Sequence, residues 1–103
     1  GNYPLAEEEF NTFLKVHTLN DTVLYFLGYC QLYNSEYTNA TNTFKKMIFF
    51  PDSRFYSKGR YCLALSYWAN KNTIEAYRLF NEIAKVPEDP FASMSKSNIE
   101  HLR

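Results

Sequence analysis

The sequence is poor in the features that mark enzymes and binders of charged ligands. It has three glycines, none adjacent, so no loop can cradle a phosphate. Its two histidines, His17 and His101, fall near the ends of different terminal helices, with no Cys, Ser or carboxylate at a catalytic spacing. No catalytic residue, cofactor or metal site is expected. Cys30 and Cys62 are the only cysteines. They form no CxxC motif and read as small buried apolar residues, and two thiols alone do not establish a disulfide. Charge has no bias, with 11 basic and 11 acidic residues and no basic stripe, which makes nucleic acid and anionic membrane surfaces poor partners. No apolar run reaches the roughly 18 residues of a membrane span, and no signal-peptide pattern opens the chain. Gly1, ahead of a helical pattern, reads as a leftover of truncation, which leaves an upstream anchor open.

Aromatic residues, by contrast, are abundant. Nine Tyr, nine Phe and one Trp among 103 residues must be partly core, yet a body this small cannot bury them all. Their order shows an internal repeat. Shifting residues 27–51 forward by 36 lands Leu27 on Leu63, Gly28 on Ala64, Ala40 on Ala76, Phe44 on Phe80 and Pro51 on Pro87. Tyr25 falls on Tyr61. Tyr37, Ala40, Phe44, Met47 and Ile48 recur 34 residues earlier as Tyr3, Ala6, Phe10, Phe13 and Leu14. A period near 35 with apolar positions in register signals stacked supersecondary units.

Helical periodicity runs throughout, and nothing reads as a strand. Helices are expected over about 3–16, 21–34, 36–49, 54–70, 73–85 and 91–102. Asn20 or Asp21 is the expected cap of the second helix, Ser35 of the third, and Asp52 or Ser53 of the fourth. Asn72 with Glu75 reads as a capping box for the fifth. Asp89 followed by Pro90 opens the last. In each pair a small residue on the first helix faces an alanine on the second, Gly28 against Ala40 and Ala64 against Ala76, so that the axes approach closely.

These residues resemble the tetratricopeptide repeat, whose signature runs L-G/A-x2-Y, then A, F and P, at a period near 34. Leu27, Gly28, Tyr37, Ala40, Phe44 and Pro51 match in one copy, and Leu63, Ala64, Tyr67, Ala76, Phe80 and Pro87 in the next. Gln31 and Thr73 depart from the usual aromatics, and each proline comes one residue early. The expectation is an all-α, right-handed stack of antiparallel helix pairs in one domain: a half-repeat over 3–17, repeats over 21–52 and 54–88, and a terminal helix over 90–103. The run at 61–67 also resembles repeats in small domains of membrane-anchored bacterial envelope proteins, which implies the soluble part of an envelope-associated protein.

The resemblance implies a protein-interaction module without chemistry of its own, holding a hydrophobic peptide or helix in a concave groove. In the family's register the groove-facing residues are Tyr25, Tyr29, Leu32, Tyr33, Lys58, Tyr61, Leu65 and Trp68. They lie on faces other than those of Leu24, Leu27 and Gly28, so they read as unneeded for packing, with phenols and the indole N–H free to bond a peptide backbone. Only Lys58 supplies a positive charge, so the family's two-carboxylate clamp, and with it an acidic C-terminal tail, is not expected. Two competing readings remain. Chain ends or a neighbouring domain cover the aromatics, or the chain is an oligomerisation segment that stacks through its terminal half-repeats on another protomer or a longer array.

Overall fold

The computed structural model describes residues 3–16 and 20–102, with the backbone alone for 13–16. Six α-helices follow one another: α1 (Tyr3–Val16), α2 (Asp21–Tyr33), α3 (Tyr37–Lys45), α4 (Tyr56–Ala69), α5 (Thr73–Ala84) and α6 (Ala92–Leu102). No strand occurs among the described residues. Each helix packs on its neighbours in chain order, and α2 also reaches α4, so the chain forms an all-α helical-repeat stack measuring 40 × 28 × 22 Å. The side chains of Phe13 and Leu14 and all of His17 lie outside the described residues.

The third helix is shorter than its periodicity suggests. It tightens into a 3-10 turn over Lys46–Phe49, because Pro51 cannot continue it and Phe50 before the proline leaves the helical region. Asn20 caps α2, its Oδ1 accepting the Val23 N–H at 3.1 Å. Ser53 Oγ accepts the Phe55 N–H at 3.0 Å, and Asp89 Oδ1 accepts the Phe91 N–H at 2.8 Å. Three expected caps are absent: α4 starts after Phe55 with no side-chain cap bond, Ser53 bonding only in the turn before it. Ser35 does not cap α3; it sits at φ 63°, as Lys71 sits at φ 64° one repeat on. Each left-handed residue turns the chain so sharply that the next N–H returns to the finished helix, Glu36 to the Gln31 carbonyl at 2.9 Å and Asn72 to that of Tyr67 at 2.8 Å. The hairpins are therefore closed from their first helix. Asn72 makes no side-chain cap bond, and Glu75 pairs with Arg78 at 3.2 Å instead of forming a capping box.

Packing repeats as the sequence does. Tyr25 stacks on Phe55, centroids 4.9 Å apart and planes 10° apart, and Tyr61 stacks on Phe91 at 4.8 Å and 15°. Phe44 stands beside Tyr25 at 6.3 Å, and Phe80 beside Tyr61 at 5.8 Å. Each triad thus joins a helix pair to the first helix of the next pair. One level away, Met47 packs against Gly59, while Ile83 and Ser95, both wholly buried, occupy the places 36 residues on. The copies also differ at a buried polar pair. Thr43 Oγ1 donates to Gln31 Oε1 at 2.6 Å, and the matching positions hold Tyr67 and Leu79, which pack apolar.

The glycine at 28 answers to Phe44 rather than to Ala40. A Cβ there would lie 2.7 Å from two Phe44 ring carbons, whereas at Gly59 it would meet the flexible Met47 Cγ at 3.1 Å. Gly28→Ala is expected to destabilise by about 1–3 kcal/mol, because the wholly buried ring has nowhere to move. Gly59→Ala is expected to be neutral or stabilising by up to ~1 kcal/mol, since alanine is the better helix former. Urea unfolding followed by circular dichroism measures both, and equal effects would refute this reading of the crossing.

Candidate groove on the concave face

Residues one turn apart on α2 and α4 line the open side of the stack, and two hollows follow from their spacing. The first is formed by Tyr25, Tyr29, Phe26 and Cys30 of α2 with Tyr3 and Ala6 of α1, and is closed by Phe55 and Lys58 at the start of α4; it measures about 460 Å³. The second lies towards the helix C-termini, between Leu32 and Tyr33 of α2, Tyr37 of α3 and Leu65, Trp68 and Ala69 of α4, and measures about 510 Å³. Lys58 is the single charged residue in either lining. A third, more polar hollow continues from Lys58 and Phe55 past Arg54 to Pro90 and Phe91.

Seven of the eight groove residues read from the sequence, Tyr25, Tyr29, Leu32, Tyr33, Lys58, Leu65 and Trp68, line these two hollows. Tyr61 does not. It is buried beneath α6, stacked on Phe91, and its hydroxyl accepts from Asn98 Nδ2 at 2.7 Å. Tyr25 is also buried and forms the floor of the first hollow, not its rim. Both tyrosines hold helix pairs together, so the expectation that this face is unneeded for packing fails at these two positions. Covering by the chain's own C-terminal helix is the reason for Tyr61. Tyr3, Phe26, Tyr37 and Phe55 line the groove without having been singled out. The 34-residue echo of Tyr3 in Tyr37 was the available signal, since the two serve adjacent hollows.

Tyr29 and Tyr33 lie 4.5 Å apart by centroid, and the hydrogen bond between them, aided by burial, pushes Tyr29 up to about 12. Tyr3 stacks on Tyr33 at 5.4 Å. Burial raises Tyr25, with Cys62 as its bonded neighbour. Tyr37 O–H donates to Ser35 Oγ at 3.4 Å. At the far rim Asn34 Nδ2 donates to Glu7 Oε2 at 3.0 Å. Burial and a bond to Glu36 hold the Glu7 carboxyl above the usual range, and the same bond draws Glu36 below it. No group of three or more His, Cys, Asp and Glu able to hold a metal occurs among the described residues, and none of the described helices is long and apolar enough to cross a membrane.

Both cysteines are free thiols. Burial pushes Cys62 up to about 11 against the opposing pull of Lys58, and burial followed by the Glu7 charge raises Cys30. At pH 8 a thiol with a pKa near 11 is only about 0.1% thiolate, the reactive form. Native protein is therefore expected to react with a disulfide reagent at least ~100-fold more slowly at Cys62 than after unfolding, when both thiols label at once. Cys30 is buried as expected but Cys62 is only partly so, and fast labelling of native Cys62 would contradict its raised pKa. No protein-family model matches this chain, and no curated protein matches it.

Proposed function

We propose that this chain is a tetratricopeptide-like interaction module that binds a hydrophobic segment of a partner protein along the concave faces of α2 and α4. The observation that carries the reading is the pair of neighbouring hollows, about 460 and 510 Å³, lined by aromatic and aliphatic side chains with one charge between them. Surfaces of this kind, with rigid aromatics partly open to solvent, are where binding energy concentrates. The absence of any catalytic or metal-ligating constellation in the sequence agrees with a role in binding rather than chemistry.

Stacking on a further protomer through α6 is the weaker reading. Ser97, Glu100 and His101 stand on α6 where Tyr61, Ala64 and Leu65 stand on α4, so a carboxylate replaces the small crossing residue that a following helix requires. Polar outer faces of this type end repeat arrays.

Calorimetric titration with short apolar peptides tests the proposal. Trp68→Ala and Tyr29→Ala are each expected to weaken the best binder by about 1–3 kcal/mol while leaving helicity intact. Binding that survives both changes but vanishes in raised salt would place the contact elsewhere. A sedimentation mass of twice the chain without any peptide would favour stacking.

A further inference from the structure

The groove reading leaves open what form of chain it holds and which way that chain runs. Resting on that reading, we propose that the occupant is an amphipathic helix of a partner protein, lying antiparallel to α2 and α4 with carboxylates in its last turn facing Lys58 and Arg54.

Hydrogen-bonding capacity argues for a helix. An extended peptide needs partners for its backbone N–H and C=O groups when it is buried. The two hollows contain no Asn, Gln, Ser or Thr. Their polar groups are a few phenols, of which that of Tyr37 already meets Ser35, the Trp68 indole N–H and the Lys58 ammonium, too few to pair the backbone of an extended segment. A helix satisfies its backbone internally and presents only side chains. The spacing suits it as well. From Tyr25 to Leu32, floor of one hollow to wall of the other, is seven residues of α2, or about 10 Å of rise. Side chains seven apart on a ligand helix cover the same distance on one face.

Charge fixes the direction. Lys58 closes the first hollow and Arg54 lines its continuation. Arg54 lies over the Phe55 ring at 5.0 Å and faces Asp21, while Lys58 has no acidic partner among the described residues. The helices α2 and α4 run in the same sense. Tyr25 near the start of one meets Phe55 at the start of the other, and their C-terminal turns share the second hollow. Their aligned backbone dipoles add positive potential at the Lys58 end. An antiparallel helix brings its negative C-terminal end there, and carboxylates in its last turn complete the match. Side-chain carboxylates near the end of an apolar helix are a different ligand from an acidic chain terminus.

The test uses two synthetic 18-residue peptides with blocked ends, the same composition, no tryptophan, and Leu and Phe on one helical face. One carries two Glu in its last turn and the other carries them in its first. The second is the better helix former alone, so a preference for the first does not arise from helicity. The first is expected to bind about tenfold tighter at low salt, and Lys58→Glu with Arg54→Glu is expected to reverse the preference. A nitroxide on its N-terminus should quench Trp68, the single tryptophan, and one on its C-terminus should not. A proline in mid-peptide should abolish binding. Equal affinities, quenching from the C-terminal label, or undiminished binding of the proline peptide would each overturn the proposal while leaving the groove reading in place. If neither peptide binds or perturbs Trp68, the groove reading fails and this proposal with it.

Discussion

The architecture depends on a repeated aromatic joint. Helix pairs joined by short hairpins would splay without a contact from one pair to the next. Here that contact is a tyrosine on the first helix, pressed on one side by a phenylalanine of its own second helix and stacked on the other by the phenylalanine that opens the following pair: Phe44–Tyr25–Phe55 and Phe80–Tyr61–Phe91. Each ring is held by two neighbours at offset or tilted geometries that aromatic quadrupoles favour. Gly28 exists to let Phe44 in, and Asp89 and Ser53 fix the turns that deliver Phe91 and Phe55.

Much of this was legible before any coordinates. Six helices, their turns and the small residues at the crossings follow from periodicity and from the 36-residue echo, because packing at a helix crossing restricts residue size in a way that survives repetition. Capping was less legible. Ser35 and Asn72 are good N-cap residues by type, but a tight hairpin closed by a left-handed residue satisfies its backbone from the preceding helix, and side-chain chemistry alone does not show which side closes. Helical phase alone places Leu32, Leu65 and Trp68 on the side where a hollow lies. It failed at Tyr61 because burial there comes from Phe91, just before α6, and Asn98 within it, and phase on one helix carries no information about what a later helix covers. Pairing Tyr25 with Phe55 and Tyr61 with Phe91, two couples set 36 residues apart, would have identified the joint.

The same repetition makes the groove. When two helices of one kind are set side by side, their equivalent faces form a trough, and the residues not used by the joint decide its character. Tyr3 stacks on Tyr33, whose ring lies tilted against Tyr29, and Leu65 and Trp68 add apolar walls. The trough is thus largely apolar although open to solvent. On α6 the corresponding places hold Ser97 and His101, so the trough stops there.

The unequal pair at the centre of the two repeats bears on how the chain comes apart. Gln31 and Thr43 must keep a buried hydrogen bond in register, whereas Tyr67 and Leu79 pack on the core without one. A stack whose units touch only their neighbours opens from its weakest end. Of the two pairs, the first, with its polar centre, is the weaker by that measure. Amide exchange should then be slowest through α4 and α5 and quicken towards α1. The wall that Tyr3 lends to the first hollow stands on the most readily opened helix, so local opening couples directly to the shape of the groove.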